Sequence, residues 1–183
     1  MTNEPGAVQR RSQPTVRIEA LIADAVSISR GKLDVVGAGW NHLFVPEVPT
    51  NHGRVGLGIL VSVRGGPLHR HHSVVVRLDD PTGQPVILGA ANGGRESPSD
   101  RVEVSFRSRP PFPDSPLDEY VFPIAINLER VVFQHPGVHR FRIAHDGAEV
   151  ASIPFVVAEA SLLASDQPGD GDPLDGGPAG VDS

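Results

Sequence analysis

The 183-residue chain contains no cysteine. It therefore has no disulfide framework, no thiolate zinc site and no thiol nucleophile, a usage that fits a reducing cytoplasm. Long apolar runs are missing as well. None approaches the roughly 20 residues that span a bilayer, and Met1 to Pro14 is polar, without the apolar stretch of a secretory signal. A soluble cytoplasmic protein with no membrane partner is the expectation. Aromatic rings are scarce: one Trp, one Tyr and seven Phe. That leaves little surface to stack on sugar rings and argues against carbohydrate binding. Lysine occurs once, so 15 of the 16 basic residues are arginine, a bias expected of a GC-rich bacterial genome.

The formal net charge of −6 is unevenly placed. Residues 162–183 carry Asp166, Asp170, Asp172, Asp175 and Asp182 and no base. The body between residues 15 and 161 is nearly neutral, so charge alone does not mark a nucleic-acid binder. Glycine and proline number 20 and 18, well above average usage. At the two ends this composition predicts disorder: a polar leader over 1–14 and an acidic Gly/Pro-rich tail over 160–183. Between them it predicts the frequent turns of an all-β domain over 15–159.

The closing hairpin carries the fold prediction. Phe141 and Ile143 alternate with Arg140 and Arg142, the period of a strand with one wet face. Asp146-Gly147 suits a tight type I′ turn. The return run ends at Phe155-Val156-Val157, with Pro154 expected near a sheet edge. Upstream, residues 15–28 read as one strand, with a helix around Ala20-Leu21-Ile22-Ala23 as the alternative, Ser29 to Lys32 as a turn and Leu33 to Val36 as its return. Gly37 and Gly39 suggest a bulge or close backbone approach, and Trp40 a core plug. Residues 54–63 are expected to pair with 73–78 in a hairpin. Asp79 to Gly83 is a turn, 85–90 a further strand, and 101–106 alternates cleanly. Residues 107–118 are irregular, and a strand surrounds 121–128. About eight or nine short strands without an amphipathic helix predict an antiparallel β-sandwich with Greek-key connections.

Two segments carry a resemblance. Ile124 to Leu128, Pro136-Gly137 before Phe141-Arg142-Ile143, and Asp146-Gly147 together resemble the last strands of immunoglobulin-like and fibronectin-like sandwiches. Leu21 to Ala25 with Gly31-Lys32-Leu33 and Gly37-Ala38-Gly39-Trp40-Asn41 is similar to the start of a family of small uncharacterised bacterial domains. The resemblance implies an Ig-like sandwich of unknown function and supplies no catalytic residues. The immunoglobulin cysteine pair is missing, and His139 and Phe141 stand where the closing strand would carry its tyrosine.

Of the side chains able to do chemistry, His69-Arg70-His71-His72 stands out. On a strand His69 and His71 would share a face and could grip a metal, with His139 as a third ligand. The segment has a likeness to cupin motifs, but Ser73 to Val76 follow where the usual glutamate would stand. A polar hairpin tip is the simpler reading. His135, His139 and His145 are expected at the rims of the core, and Asp24 to point inward onto backbone donors. Arg109 to Pro116 is a stiff proline-rich loop that could present Pro111, Phe112 and Pro113 to a partner. No phosphate-binding loop, nucleophile elbow or dinucleotide fingerprint is present. The expectation is a non-enzymatic interaction or scaffolding module, without cofactor, binding a protein or itself. The alternative is a metal-binding, cupin-like small-molecule enzyme using His69, His71 and His139.

Overall fold

The computed structural model describes residues 15–65, 69–88, 99–108 and 119–160. Ten strands follow one another: β1 (Thr15–Ala23), β2 (Ala25–Ser29), β3 (Lys32–Val36), β4 (His42–Val45), β5 (Thr50–Arg64), β6 (His71–Asp79), β7 (Val102–Arg107), β8 (Glu119–Phe133), β9 (Gly137–His145) and β10 (Ala148–Glu159). No helix occurs among the described residues, and none is long and apolar enough to cross a membrane. One sheet runs β1-β5-β8 and a second β4-β10-β9-β6-β7, while β2 and β3 form a separate hairpin. Every pairing is antiparallel except β4 with β10.

The two larger sheets pack face to face, as period-two alternation requires. From the first come Ile22, Val55, Leu57, Ile59, Val61, Ile124, Ile126 and Leu128; from the second, Val74, Val76, Leu78, Phe141, Ile143, Phe155 and Val157, all in one buried cluster. Rings lock the interface. Phe106 of β7 lies 4.8 Å from Phe122 of β8, and Phe133 of β8 meets Phe155 of β10 edge-on at 6.0 Å. Trp40 packs on the same core, edge-to-face with Phe155 at 5.8 Å. The all-β sandwich expected from the alternation is the observed architecture.

Several local expectations are corrected. Residues 15–28 do not form one strand: the chain breaks at Asp24, and β2 leaves the first sheet to lie across its outer face. Two glycines of β5 make room. A Cβ on Gly56 would lie 3.0 Å from the Ala25 backbone, and one on Gly58 would lie 2.9 Å from Leu33 Cδ2. The Asn127 side chain then acts as a substitute strand. Its Oδ1 accepts from the Val26 N–H at 3.0 Å and its amide donates to the Val26 carbonyl at 2.8 Å. Asp24 is exposed at the break, and its Oδ1 accepts from Trp40 Nε1 at 3.1 Å.

Residues 54–63 and 73–78 are not hairpin partners. β5 pairs with β1 and β8, while β6 pairs with β7 and β9 in the opposite sheet. Two consecutive apolar strands look alike in sequence whether they share a sheet or face each other. The strand expected over 85–90 reduces, in its described part, to isolated bridges at Pro85 and Leu88. Pro154 sits in an interior strand, but β4 pairs only with Val156 to Glu159, so the missing N–H faces a local edge. The 1–14 leader, the 161–183 part of the tail and the Pro111-Phe112-Pro113 loop lie outside the described residues.

Candidate functional site

At one end of the larger sheet the β9–β10 turn meets the start of β6. Inward alternation on β6 places His72 on the same face as Val74, Val76 and Leu78; on β9 it places His145 beside Ile143. The register pairs His145 with Val74, so His72 is its diagonal neighbour on the inner face. The two rings stack, with His72 Nδ1 2.9 Å from His145 Nε2. Phe106 of β7 covers the His72 ring at 5.2 Å.

Asp146 follows His145 in the turn with φ of 48°, and Gly147 with 85°, the paired positive angles expected of Asp-Gly. Its carboxylate is tied down on two sides. Oδ1 accepts from the Ser73 N–H at 2.9 Å and Oδ2 from Arg70 Nη2 at 2.9 Å, while His145 Nε2 lies 3.7 Å from Oδ2. The Asp146 N–H donates in turn to the Ser73 carbonyl. His72, His145 and Asp146 each offer a ligand atom, all within 4.8 Å of one another.

Electrostatics holds this cluster in a defined state. Burial, reinforced by the neighbouring His145, keeps the His72 pKa below its ordinary value, so the ring is neutral near pH 7. Burial alone would raise Asp146, but the Ser73 N–H, His145 and Arg70 outweigh it and hold the carboxyl below its usual range. His72 is 1% exposed, and its Nε2 has no hydrogen-bond partner among the described residues.

The residues singled out in the sequence do not converge. His69 stands in the loop before β6 with φ of 65° and is exposed; its N–H donates to the Ser108 carbonyl. His71 points to the outer face, where its Nε2 accepts from Arg107 Nε at 2.6 Å. His139 lies beyond the far end of β6, since Arg140 pairs with Asp79. The nine residues of β6 put roughly 30 Å between it and His71 at strand rise. His139 is fully buried rather than at a rim, 5.0 Å from Phe133 and stacked on Phe155. Burial keeps its pKa below the ordinary value against the hydrogen bond to the Gly137 carbonyl. His145 is likewise buried rather than at the rim, whereas His135 is exposed. Asp146 is expected in a turn, but His72 is expected in a polar hairpin tip and is instead buried; its spacing of two from Val74 is the signal for that, and nothing local to either residue signals the other.

The β1 edge is the other feature of note. Its outward side pairs with no strand among the described residues, although β10 comes close to β1 and the Gly39 N–H donates to the Ile22 carbonyl at its end. Arg17 and Glu19 form an ion pair along it, with side chains 74% and 56% exposed. The inward residues Val16, Ile18 and Ala20 are only half-buried.

Fold and site thus define an all-β, two-sheet sandwich with a histidine–aspartate cluster at one end and an open strand at one edge. The chain belongs to DUF6941, a family of unknown function whose model matches residues 19–158. No match is found among curated proteins. Among solved structures, an immunoglobulin-like protein from Pseudomonas aeruginosa is similar at 14% identity and a TM-score of 0.36, covering 81% of this chain and 99% of that one. An alkylpurine DNA glycosylase from Pseudomonas fluorescens, bound to DNA containing an abasic site analog, matches at 14% identity and a TM-score of 0.36. A β-glucosidase from Listeria innocua matches at 11% identity and 0.41. These two cover 78% and 79% of this chain, which spans only 30% of the glycosylase and 16% of the glucosidase.

Proposed function

We propose that the protein is a non-enzymatic scaffolding module of the bacterial cytoplasm that associates with a second copy of itself through β1. Neither nucleic acid nor membrane is a partner in this reading. It is supported above all by the self-complementarity of β1. An antiparallel pairing of two β1 strands centred on Ile18 sets Ile18 against Ile18, Val16 against Ala20 and Arg17 against Glu19, each with its own side of the sheet preserved. The two Arg17–Glu19 pairs become cross-strand ion pairs. The half-buried Val16, Ile18 and Ala20 gain cover, each such pair contributing about 0.2–1 kcal/mol. The three-stranded sheet would continue across the two-fold axis, and an uncovered edge would disappear. With contact limited to one strand a side, the interface is small, and a dissociation constant on the order of micromolar is expected.

Sedimentation equilibrium of the full chain from about 1 to 200 μM tests this. Arg17→Glu places Glu against Glu and should leave a monomer throughout the range. The double exchange Arg17→Glu with Glu19→Arg restores opposite charges and should restore the dimer. A wild-type chain that stays monomeric, or a dimer indifferent to Arg17→Glu, would show the reading to be wrong.

A further inference from the structure

We infer that His72, His145 and Asp146 form a binding site for a divalent transition-metal cation, with zinc the ion whose preferences they match best. The donor set is two imidazole nitrogens and one carboxylate oxygen, which suits zinc and its neighbours and not the all-oxygen preferences of calcium or magnesium. Bonds of about 2.0–2.1 Å to a tetrahedral ion place its ligand atoms roughly 3.3–3.5 Å apart. Two of the three separations, 2.9 Å between His72 Nδ1 and His145 Nε2 and 3.7 Å between His145 Nε2 and Asp146 Oδ2, lie on either side of that edge length, and the third, between His72 and Asp146, is within 4.8 Å and closes as the carboxylate turns from Arg70. Shifts of well under 1 Å in the first two separations would bring them to it.

The surroundings fit. Nδ1 is the one ring nitrogen of His72 that meets a polar group; Nε2 is buried without a partner among the described residues and can keep the ring proton while Nδ1 coordinates. The hydrogen now bridging the two rings moves to the outer nitrogen of the ring that held it, so the ion replaces an N–H···N contact without changing the charge of either ring. Both rings are placed by β-strands and His72 is clamped by Phe106, while the Ser73 N–H fixes the other carboxylate oxygen of Asp146. Arg70 must release Oδ2. Its side chain is 42% exposed and can turn into solvent. Three protein donors leave a fourth position for water.

The experiment uses the full chain, stripped with chelator, dialysed and titrated calorimetrically with zinc chloride; cobalt(II) serves as a spectroscopic probe. The expected result is one ion per chain and, with cobalt, the intense visible bands of a four-coordinate site. His145→Ala and Asp146→Asn should each weaken zinc binding about tenfold or more, and Asp146→Asn keeps the oxygen that accepts from Ser73. Circular dichroism checks that both variants are folded. His71→Ala and His69→Ala, outside the cluster, should bind as the parent does. Absence of stoichiometric binding, or binding that survives in folded His145→Ala and Asp146→Asn but fails in His71→Ala, overturns the assignment.

Discussion

Asn127→Ala is the most direct test of how the β2–β3 hairpin is held to the sandwich. Val26 pairs with Val35 inside that hairpin, yet its N–H and carbonyl point away from β3 and into the Asn127 amide. Truncation removes both hydrogen bonds, each worth about 1 kcal/mol net. It also strands the two Val26 groups beside a side chain that is 4% exposed. A dry, unpaired backbone group costs about 1–3 kcal/mol, and partial access of water to the vacated space offsets some of this. A loss of about 3 kcal/mol follows. For a domain of this size that is a fall of roughly 10 °C in melting temperature. Thermal denaturation by circular dichroism gives the total, and hydrogen exchange at the Val26 amide localises it. A fall below about 3 °C together with unchanged protection at Val26 would mean that the hairpin is held by its apolar face alone, and the reasoning would fail.

Two further outcomes follow from the same structure. Gly56→Ala should destabilise by about 1–3 kcal/mol and by more than Gly58→Ala, because the new methyl meets the fixed Ala25 backbone at Gly56 but the movable end of Leu33 at Gly58; equal urea midpoints for the two variants would contradict this. Acidification should also destabilise the fold. His72 and His139 have folded pKa values below the ordinary 6.5, so the unfolded chain binds more protons. Their contribution is complete above about pH 6.5 and is lost as pH falls, at up to about 1.4 kcal/mol per pH unit for each ring. Urea midpoints at pH 7.5, 6.5 and 5.5 measure the slope. His139→Phe should remove about half of it, and a variant with the parent's slope would exclude His139 as a source.

The strands were legible because alternation is a local property. Val102, Val104 and Phe106, or Phe141 and Ile143, announce an inward face whatever lies opposite. Turns were legible for the same reason: Asp146-Gly147 has the positive φ angles its residue types favour, and Asp80 accepts from the Thr82 and Gln84 N–H groups as a turn aspartate does. Pairing was not local. The partners of β5 lie in β1 and β8, far away in sequence, and apolar runs carry no label of the sheet they join. The break at Asp24 depended on Gly56, Gly58 and Asn127, which only the folded chain brings against it. A shared strand face is visible in sequence, and it points to His69 and His71, with His139 added, as the metal-binding histidines. His72 stood one position away, in phase with the core, and its companions lie 73 and 74 residues further on.

The place of β10 has a consequence for how the protein is made. It comes last of the described strands yet lies between β4 and β9, with β4 held in parallel on one side. Until β10 has left the ribosome, β4 has no neighbour, Phe44 has no sheet to stand on, and the inner residues Phe141 and Phe133 lack the ring of Phe155 between them. Nascent chains ending before β10 therefore hold a divided sheet, and folding waits for its final strand. Assembly dominated by such distant pairings belongs to the slow end of the single-domain range, milliseconds to seconds, during which β4 and β9 are open edges that a chaperone or a neighbouring nascent chain can reach first.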